Sequence, residues 1–282
     1  ENFLLAGTTL TVNGLNPGTS YQFRVRSYNA TGASLNSSVV NVTTVPPPPV
    51  TISATGFTAT SFVANWQATP GANSYELDVS DDPAFSTFVA NFQAAPAAGI
   101  SATVDNLNPG TVYYYRVRAV NAFGISANSN VTSSTNIPPA PTGLTVSGVS
   151  TGGFSLTWLS TPGAFSYELD ISADNFATYA AVYNSLSVTG TSLNVSGLSA
   201  GTSYQIRLRA SNASGTSANS SITTAETLPD EPASQPASLL FTSITTTGYT
   251  MSYAPSSGGA TGYLVLRRVG TAPAEVPADG TA

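Results

Sequence analysis

Leu15-Asn-Pro-Gly-Thr-Ser-Tyr21-Gln-Phe-Arg24-Val-Arg26-Ser-Tyr-Asn29-Ala-Thr-Gly32 decides the fold of this chain, because the phrase returns from Leu107 to Gly124 and again from Leu198 to Gly215. The second copy begins 92 residues after the first, and the third 91 after the second. A period of that length, carried by a turn and then an alternating run, marks a string of similar small domains. Within the phrase, Tyr21, Phe23 and Val25 fall on one side of an extended chain, with Gln22, Arg24 and Arg26 on the other. Period two over six or more residues is the pattern of a half-buried strand. No stretch carries a 3.6-residue apolar stripe, so the sequence predicts an all-β protein.

The second copy shows the module in full. Val45-Pro46-Pro47-Pro48-Pro49-Val50 opens it, and four prolines favour a stiff, extended polyproline segment. Phe62-x-x-x-Trp66 follows, then a Thr69-Pro70-Gly71 turn, the acidic run Tyr75-Glu-Leu-Asp-Val79, the turn Asp81-Asp82-Pro83, a softer apolar segment from Phe85 to Phe92, and the repeated phrase. Short strands at this spacing build a sandwich. The third copy opens at Ile137-Pro138 and repeats each landmark, with Trp158 92 residues beyond Trp66 and Tyr167-Glu-Leu-Asp-Ile171 matching the acidic run. A fourth begins at Leu228-Pro229 and ends in Tyr263-Leu-Val-Leu-Arg267-Arg268, where the carboxylates are gone. The expected boundaries are therefore 1–45 (the C-terminal half of a module), 46–136 and 137–227 (complete modules), and 228–282 (an N-terminal half).

Composition narrows the function classes. Of the 282 residues none is cysteine or histidine, which excludes disulfides and thiolate metal sites and removes the commonest general base. Charged residues make up 8% of the chain, against about 25% in ordinary soluble domains. A net charge of −6 with no basic cluster fits poorly with nucleic-acid binding. No run approaches the roughly 20 apolar residues of a membrane span. The first residues do not read as a secretory leader and no methionine opens the chain, so it reads as a mature or excised piece.

These landmarks resemble the fibronectin type III family: a proline-rich entry, a tryptophan on the second strand, a tyrosine on the third, and a Leu-x-Pro-Gly-Thr-x-Tyr turn into the sixth. The resemblance spans essentially the whole chain and implies tandem immunoglobulin-like, seven-stranded sandwiches, each of three- and four-stranded sheets, joined by proline-rich linkers. The Tyr-Glu-Leu-Asp strands and the Tyr-Leu-Val-Leu-Arg-Arg ending are similar to modules in large secreted or surface proteins of Bacteroidetes-type bacteria, which often use the type IX secretion route.

Several residues are candidate sites. Tyr21, Tyr113, Tyr204, Trp66 and Trp158 are expected to be structural. Arg116 and Arg118 are expected to face Glu76 and Asp78 across strands on the outer face, as Arg207 and Arg209 face Glu168 and Asp170. That arrangement makes a charge ladder worth a few tenths of a kcal/mol per pair; an anion-binding strip is the competing reading. Asp81, Asp82 and Asp174 cap turns or, alternatively, contribute to a calcium site, for which two side chains are too few. Phe85, Phe88, Phe92, Phe176, Tyr179 and Tyr183 cover an open sheet edge or form a sugar-stacking platform. Phe123, at a loop tip, is the best single contact candidate. No catalytic or cofactor-binding residue and no metal set is expected. The function expected is a stalk or adhesive spacer in a secreted or cell-surface bacterial protein. Its partners would be neighbouring modules, and beyond them secretion machinery, other surface proteins or glycans. The alternatives are accessory modules of a secreted polysaccharide-degrading enzyme, or a filament in which the two half-modules complete one another head to tail.

Overall fold

The computed structural model describes residues 4–231, 234–256 and 262–265; Arg267 and Arg268 lie outside the described residues. An N-terminal segment supplies β1 (Ser20–Phe23), β2 (Tyr28–Asn29), β3 (Gly32–Ala33) and β4 (Val40–Thr43). The second repeat comprises β5 (Thr51–Thr55), β6 (Phe62–Trp66), β7 (Ser74–Ser80), β8 (Ala95–Ala97), β9 (Ser101–Val104), β10 (Val112–Asn121), β11 (Gly124–Ile125) and β12 (Thr132–Thr135). In the third stand β13 (Thr145–Ser147), β14 (Phe154–Thr157), β15 (Ser166–Ser172), β16 (Leu186–Val188), β17 (Ser192–Val195), β18 (Ser203–Asn212), β19 (Gly215–Thr216) and β20 (Thr223–Glu226). A C-terminal hairpin pairs β21 (Ala237–Thr242) with β22 (Thr250–Ala254). Among the described residues no helix is long and apolar enough to cross a membrane.

In the second repeat β5-β6-β9 form one sheet and β11-β10-β7-β8 the other, with β12 also pairing β10. The third repeat has the same two sheets, β13-β14-β17 and β16-β15-β18-β19, with β20 on β18. Alternation decides what fills the space between the sheets. Along β10, Tyr113, Tyr115, Val117 and Ala119 are buried, while Tyr114, Arg116 and Arg118 point the other way. Trp66 and Phe62 of β6 meet Leu77 of β7 and Tyr115 of β10 in one core. Trp158, Leu156, Leu169 and Ile206 build the second. Each tryptophan packs on the tyrosine of the neighbouring sheet, with ring centroids 5.6 Å apart for Trp66–Tyr75 and 5.4 Å for Trp158–Tyr167.

Each repeat therefore has sheets of three and five strands rather than three and four, because the last strand is interrupted. Between β11 and β12 two serines replace the ladder. Ser126 donates its N–H to the Ala119 carbonyl at 2.8 Å, and its hydroxyl accepts from Ala119 N at 2.9 Å. Ser129 does the same with Val117, at 2.9 Å in both directions. Ser217 and Ser220 repeat the device against Ala210 and Leu208, as Ser34 and Ser37 do against Ser27 and Val25. A side-chain oxygen stands where a ladder carbonyl would, so the segment follows the sheet without full strand geometry. The proline entries pack as well: Pro46, Pro49, Pro138 and Pro141 are all buried.

Candidate functional site

The arginines and carboxylates meet in the expected register, Arg116 opposite Asp78 and Arg118 opposite Glu76, Arg207 opposite Asp170 and Arg209 opposite Glu168. Arg116 Nε lies 2.9 Å from Asp78 Oδ2, and Arg118 Nη2 lies 3.1 Å from Glu76 Oε2 and 3.3 Å from Asp78 Oδ1. The third repeat gives 2.9 Å for Arg207 Nε–Asp170 Oδ2 and 3.1 Å for Arg209 Nη2–Glu168 Oε2.

The pairs stand on the outer face, as expected, but that face is covered and not open to solvent. Asp78 and Asp170 are only 2% and 1% exposed. The cause is the segment between β7 and β8, which folds across the face instead of leaving it open. Its Ala94 N–H donates to Asp78 Oδ1 at 2.8 Å, and Phe85, itself buried, lies under Arg116 with the guanidinium 4.2 Å from its ring centre. In the third repeat Ser185 N donates to Asp170 at 2.8 Å and Phe176 lies 3.9 Å under Arg207. Phe85 and Phe176 reach that position through left-handed backbone, at φ 57° and 63°, which bulky residues rarely adopt. Tyr179 accepts from Arg207 Nη2 at 3.4 Å, and Tyr183 is buried with its hydroxyl bonded to Ser196. Phe92 packs against the core. The aromatics thus cover charge as well as edge, and every carboxylate on this face is committed to arginine.

Asp82, half-buried, and Asp174, exposed, are turn caps. Asp82 accepts from Ala84 N and Ser86 N, both at 3.0 Å, and from the Ser86 hydroxyl. Asp174 accepts from Thr178 Oγ1 at 2.6 Å, Thr178 N at 2.9 Å and Ser172 Oγ at 2.7 Å. The Thr178 hydroxyl, with these other donors, holds the Asp174 carboxyl down at about 2.

The most regular feature is where repeats meet. Tyr113 accepts from Asn108 N and Tyr21 from Asn16 N, each at 2.9 Å, which pins the Asn-Pro-Gly-Thr turns. Tyr75 and Tyr167 pin the Thr-Pro-Gly turns by accepting from Thr69 N at 2.9 Å and Thr161 N at 2.8 Å. The two kinds of turn then touch across the boundary. A Cβ on Gly18 would strike the Pro70 carbonyl, and one on Gly110 the Pro162 carbonyl; Gly71 and Gly163 are closed in turn by the Gly18 and Gly110 carbonyls. Alongside, Asn121 Nδ2 donates to the Thr44 carbonyl of the preceding repeat at 2.9 Å, and Asn212 Nδ2 to the Asn136 carbonyl at 2.8 Å. Val45 and Ile137 pack on the bare faces of Gly124 and Gly215. Both joints use the same parts. Tyr204 pins its own turn to Ser199 N at 2.9 Å, and Tyr263 accepts from Ser256 N at 3.1 Å.

Phe123 is 53% exposed at the tip between β10 and β11, its N–H bonded to Asn121 Oδ1 at 2.9 Å. The next repeat has Ser214 there, which donates to the Thr135 carbonyl at 2.6 Å, so the aromatic belongs to one copy only. A cleft of about 240 Å³ lies at the second joint among Ser133–Thr135, Phe165 and Asn212–Ser214; ligand pockets are typically about 300–1,000 Å³.

The family model described as "Fibronectin type III domain" matches residues 4–43, 46–135 and 139–226. Mouse "Fibronectin type III domain-containing protein 7" is 30% identical over 227 residues, covering 79% of this chain and 29% of that protein. "Chitinase A1" of Niallia circulans is 28% identical over 186 residues, covering 61% of this chain and 24% of that protein. The chain thus spans under a third of either relative. The solved structure of chicken CNTN1 FN1-FN3 domains aligns with 76% of this chain and 77% of its own, at 19% identity and a TM-score of 0.38.

Proposed function

Since the chain belongs to the fibronectin type III domain family, we propose that it is a non-catalytic spacer array of a large secreted or cell-surface protein. Its units are 46–136 and 137–227, flanked by 1–45 and 228–282. The supporting observation is the joint, whose tyrosine-pinned turns, interlocked glycines and asparagine bond recur at both boundaries. Repetition of one joint fixes one rotation and one rise per repeat, as a stiff stalk requires. The proline entries support the same reading, because they leave the outgoing chain little freedom. In the two complete repeats Glu76, Asp78, Glu168 and Asp170 are bonded to arginine, and Asp82 and Asp174 to turn donors, so none of these six stands free as half of a hydrolytic acid pair. The Tyr-Glu-Leu-Asp strands and the Arg267-Arg268 ending motivate the finer placement, a Bacteroidetes-type protein exported by the type IX route; the genes around the full reading frame test it.

Solution scattering on the chain and on Gly110→Ala tests the array. The native chain should give a single elongated conformer, and the variant, whose added methyl meets the Pro162 carbonyl, a broader distribution of lengths with both cores intact. A native chain already as flexible as the variant would sink the stalk.

A second reading, accessory modules of a polysaccharide-degrading enzyme, has the similarity to a chitinase behind it. It requires a catalytic domain in the same reading frame. If Phe123 is the contact residue, Phe123→Ala should abolish glycan-array binding. The head-to-tail filament has a charge objection: aligning Tyr263 with Tyr75 puts Leu264 and Leu266 where Arg24 and Arg26 would need Glu and Asp.

A further inference from the structure

We propose that the hairpin tip Ser27–Ser34 is a docking site for the end of another repeat of the same kind, a strand terminus reading Thr/Asn–Val/Ile–Pro. The proposal rests on the array reading and names the neighbour that this tip takes.

Three tips share one construction. Asn121 Oδ1 accepts from Phe123 N and Asn212 Oδ1 from Ser214 N, each at 2.9 Å. Asn29 Oδ1 accepts from Thr31 N at 2.9 Å, with further bonds from Thr31 Oγ1 and Gly32 N. The glycines that follow have matching backbones, at φ 148° for Gly32, 153° for Gly124 and 143° for Gly215. In the second and third tips this construction aims the asparagine Nδ2 at a carbonyl of the preceding strand end and sets the glycine against its next side chain. The carbonyl belongs to Thr44 or Asn136, the side chain to Val45 or Ile137, and proline follows in both.

The first tip is formed in the same way but faces outward. A Cβ on Gly32 meets nothing within 4 Å, whereas those on Gly124 and Gly215 stand 3.0 Å from Val45 and Ile137. Asn29 Nδ2 has no hydrogen-bond partner among the described residues. Ser27–Asn29 and Thr31–Ser34 line a concavity of about 420 Å³ beside it. Its chemistry is one amide donor, a ring of hydroxyls, a bare glycine and the 60% exposed Tyr28. That set suits a carbonyl followed by one branched apolar side chain, and proline behind it holds the incoming chain extended.

The test is an NMR titration of the 15N-labelled 282-residue chain with the peptide Val-Thr-Thr-Val-Pro-Pro-Pro, the sequence of residues 42–48. The Asn29 side-chain amide and the Gly32 N–H should shift saturably, while Gly124 and Gly215 stay in place. Asn29→Asp keeps the turn acceptor and loses the donor, so it should bind about tenfold more weakly. Replacing the second peptide valine, the counterpart of Val45, by aspartate should abolish the shifts. No response at Asn29 and Gly32, with Gly124 and Gly215 unmoved, would overturn the proposal alone. Equal shifts at Gly124 and Gly215 would mean that the joints open freely, and would overturn the array reading and the proposal together. Concentration-dependent shifts without peptide would assign the tip to a second copy's Thr227–Leu228 and overturn the choice of occupant.

Discussion

Asp78 and Asp170 show how differently one residue type behaves within a single strand pair. Asp78 is buried and receives a guanidinium and a backbone N–H, while Glu76 two residues earlier keeps a quarter of its side chain in water. Removing one partner of a buried pair costs about 3–5 kcal/mol, whereas an exposed pair is worth about 0–1 kcal/mol. Asp78→Ala should therefore destabilise the second repeat by about 3 kcal/mol, and Glu76→Ala by under about 1 kcal/mol. Denaturation followed by 19F NMR of 5-fluorotryptophan checks this, since Trp66 and Trp158 report one repeat each. Equal losses would show the face to be solvated after all. Asp174 carries a different signature. Its carboxyl is held at about 2 against an ordinary 3.8, with the Thr178 hydroxyl the main cause. A depressed carboxylate contributes stability that is present above pH 4 and is lost as pH falls toward 2. The Trp158 resonance should show that loss in the native chain, and Asp174→Asn should remove this part of the slope. The same acid dependence in both would contradict the assignment.

At the scale of elements, the serine pairs carry a strand's bonding without being a strand. Ser126→Ala leaves the N–H of fully buried Ala119 without its acceptor, and an unmet buried donor costs about 1–3 kcal/mol. Amide exchange at Ala119 should accelerate in Ser126→Ala more than at Val117, whose acceptor is Ser129. Uniform acceleration along β10 would mean that the serine acts only through global stability. This device recurs as Ser34/Ser37, Ser126/Ser129 and Ser217/Ser220, yet it is hard to read in advance, because serine in a polar stretch looks like solvated loop. The strands themselves were legible: Tyr113, Tyr115 and Val117 alternate with Tyr114, Arg116 and Arg118, and pleat geometry turns that alternation into inside and outside. The burial of Asp78 was not, because residues 81–94 have no periodicity and cross the face through left-handed turns at Phe85, Asn91 and Ala94. Asn29, Asn121 and Asn212 were visible as a recurrence. Their role was hidden because each joint partner is a backbone carbonyl more than 70 residues away, which leaves no side-chain mark.

For the whole molecule, the size of the joint sets how far a disturbance travels. The two repeats have separate cores, and the boundary between them is crossed by a pair of interlocked turns, the bonds from Asn212 and Ser214, and the backbone bonds of Ile137 to Gly110 and Thr58. Repeat arrays of this kind behave as intrinsic stabilities plus nearest-neighbour terms. Neutral hydrogen bonds contribute about 0.5–1.5 kcal/mol each, so a joint this small should couple its neighbours weakly in stability while fixing their orientation through shape. Asp78→Ala should then shift the Trp66 transition strongly and the Trp158 transition by no more than about 1–2 kcal/mol. Adding Asn212→Ala should remove most of that smaller shift without altering the Trp66 midpoint further. One shared transition for both resonances would show the repeats to be a single cooperative unit, and the joint would then have to carry far more energy than its contacts supply. Separate transitions would mean that one repeat can unfold while its neighbour keeps its shape.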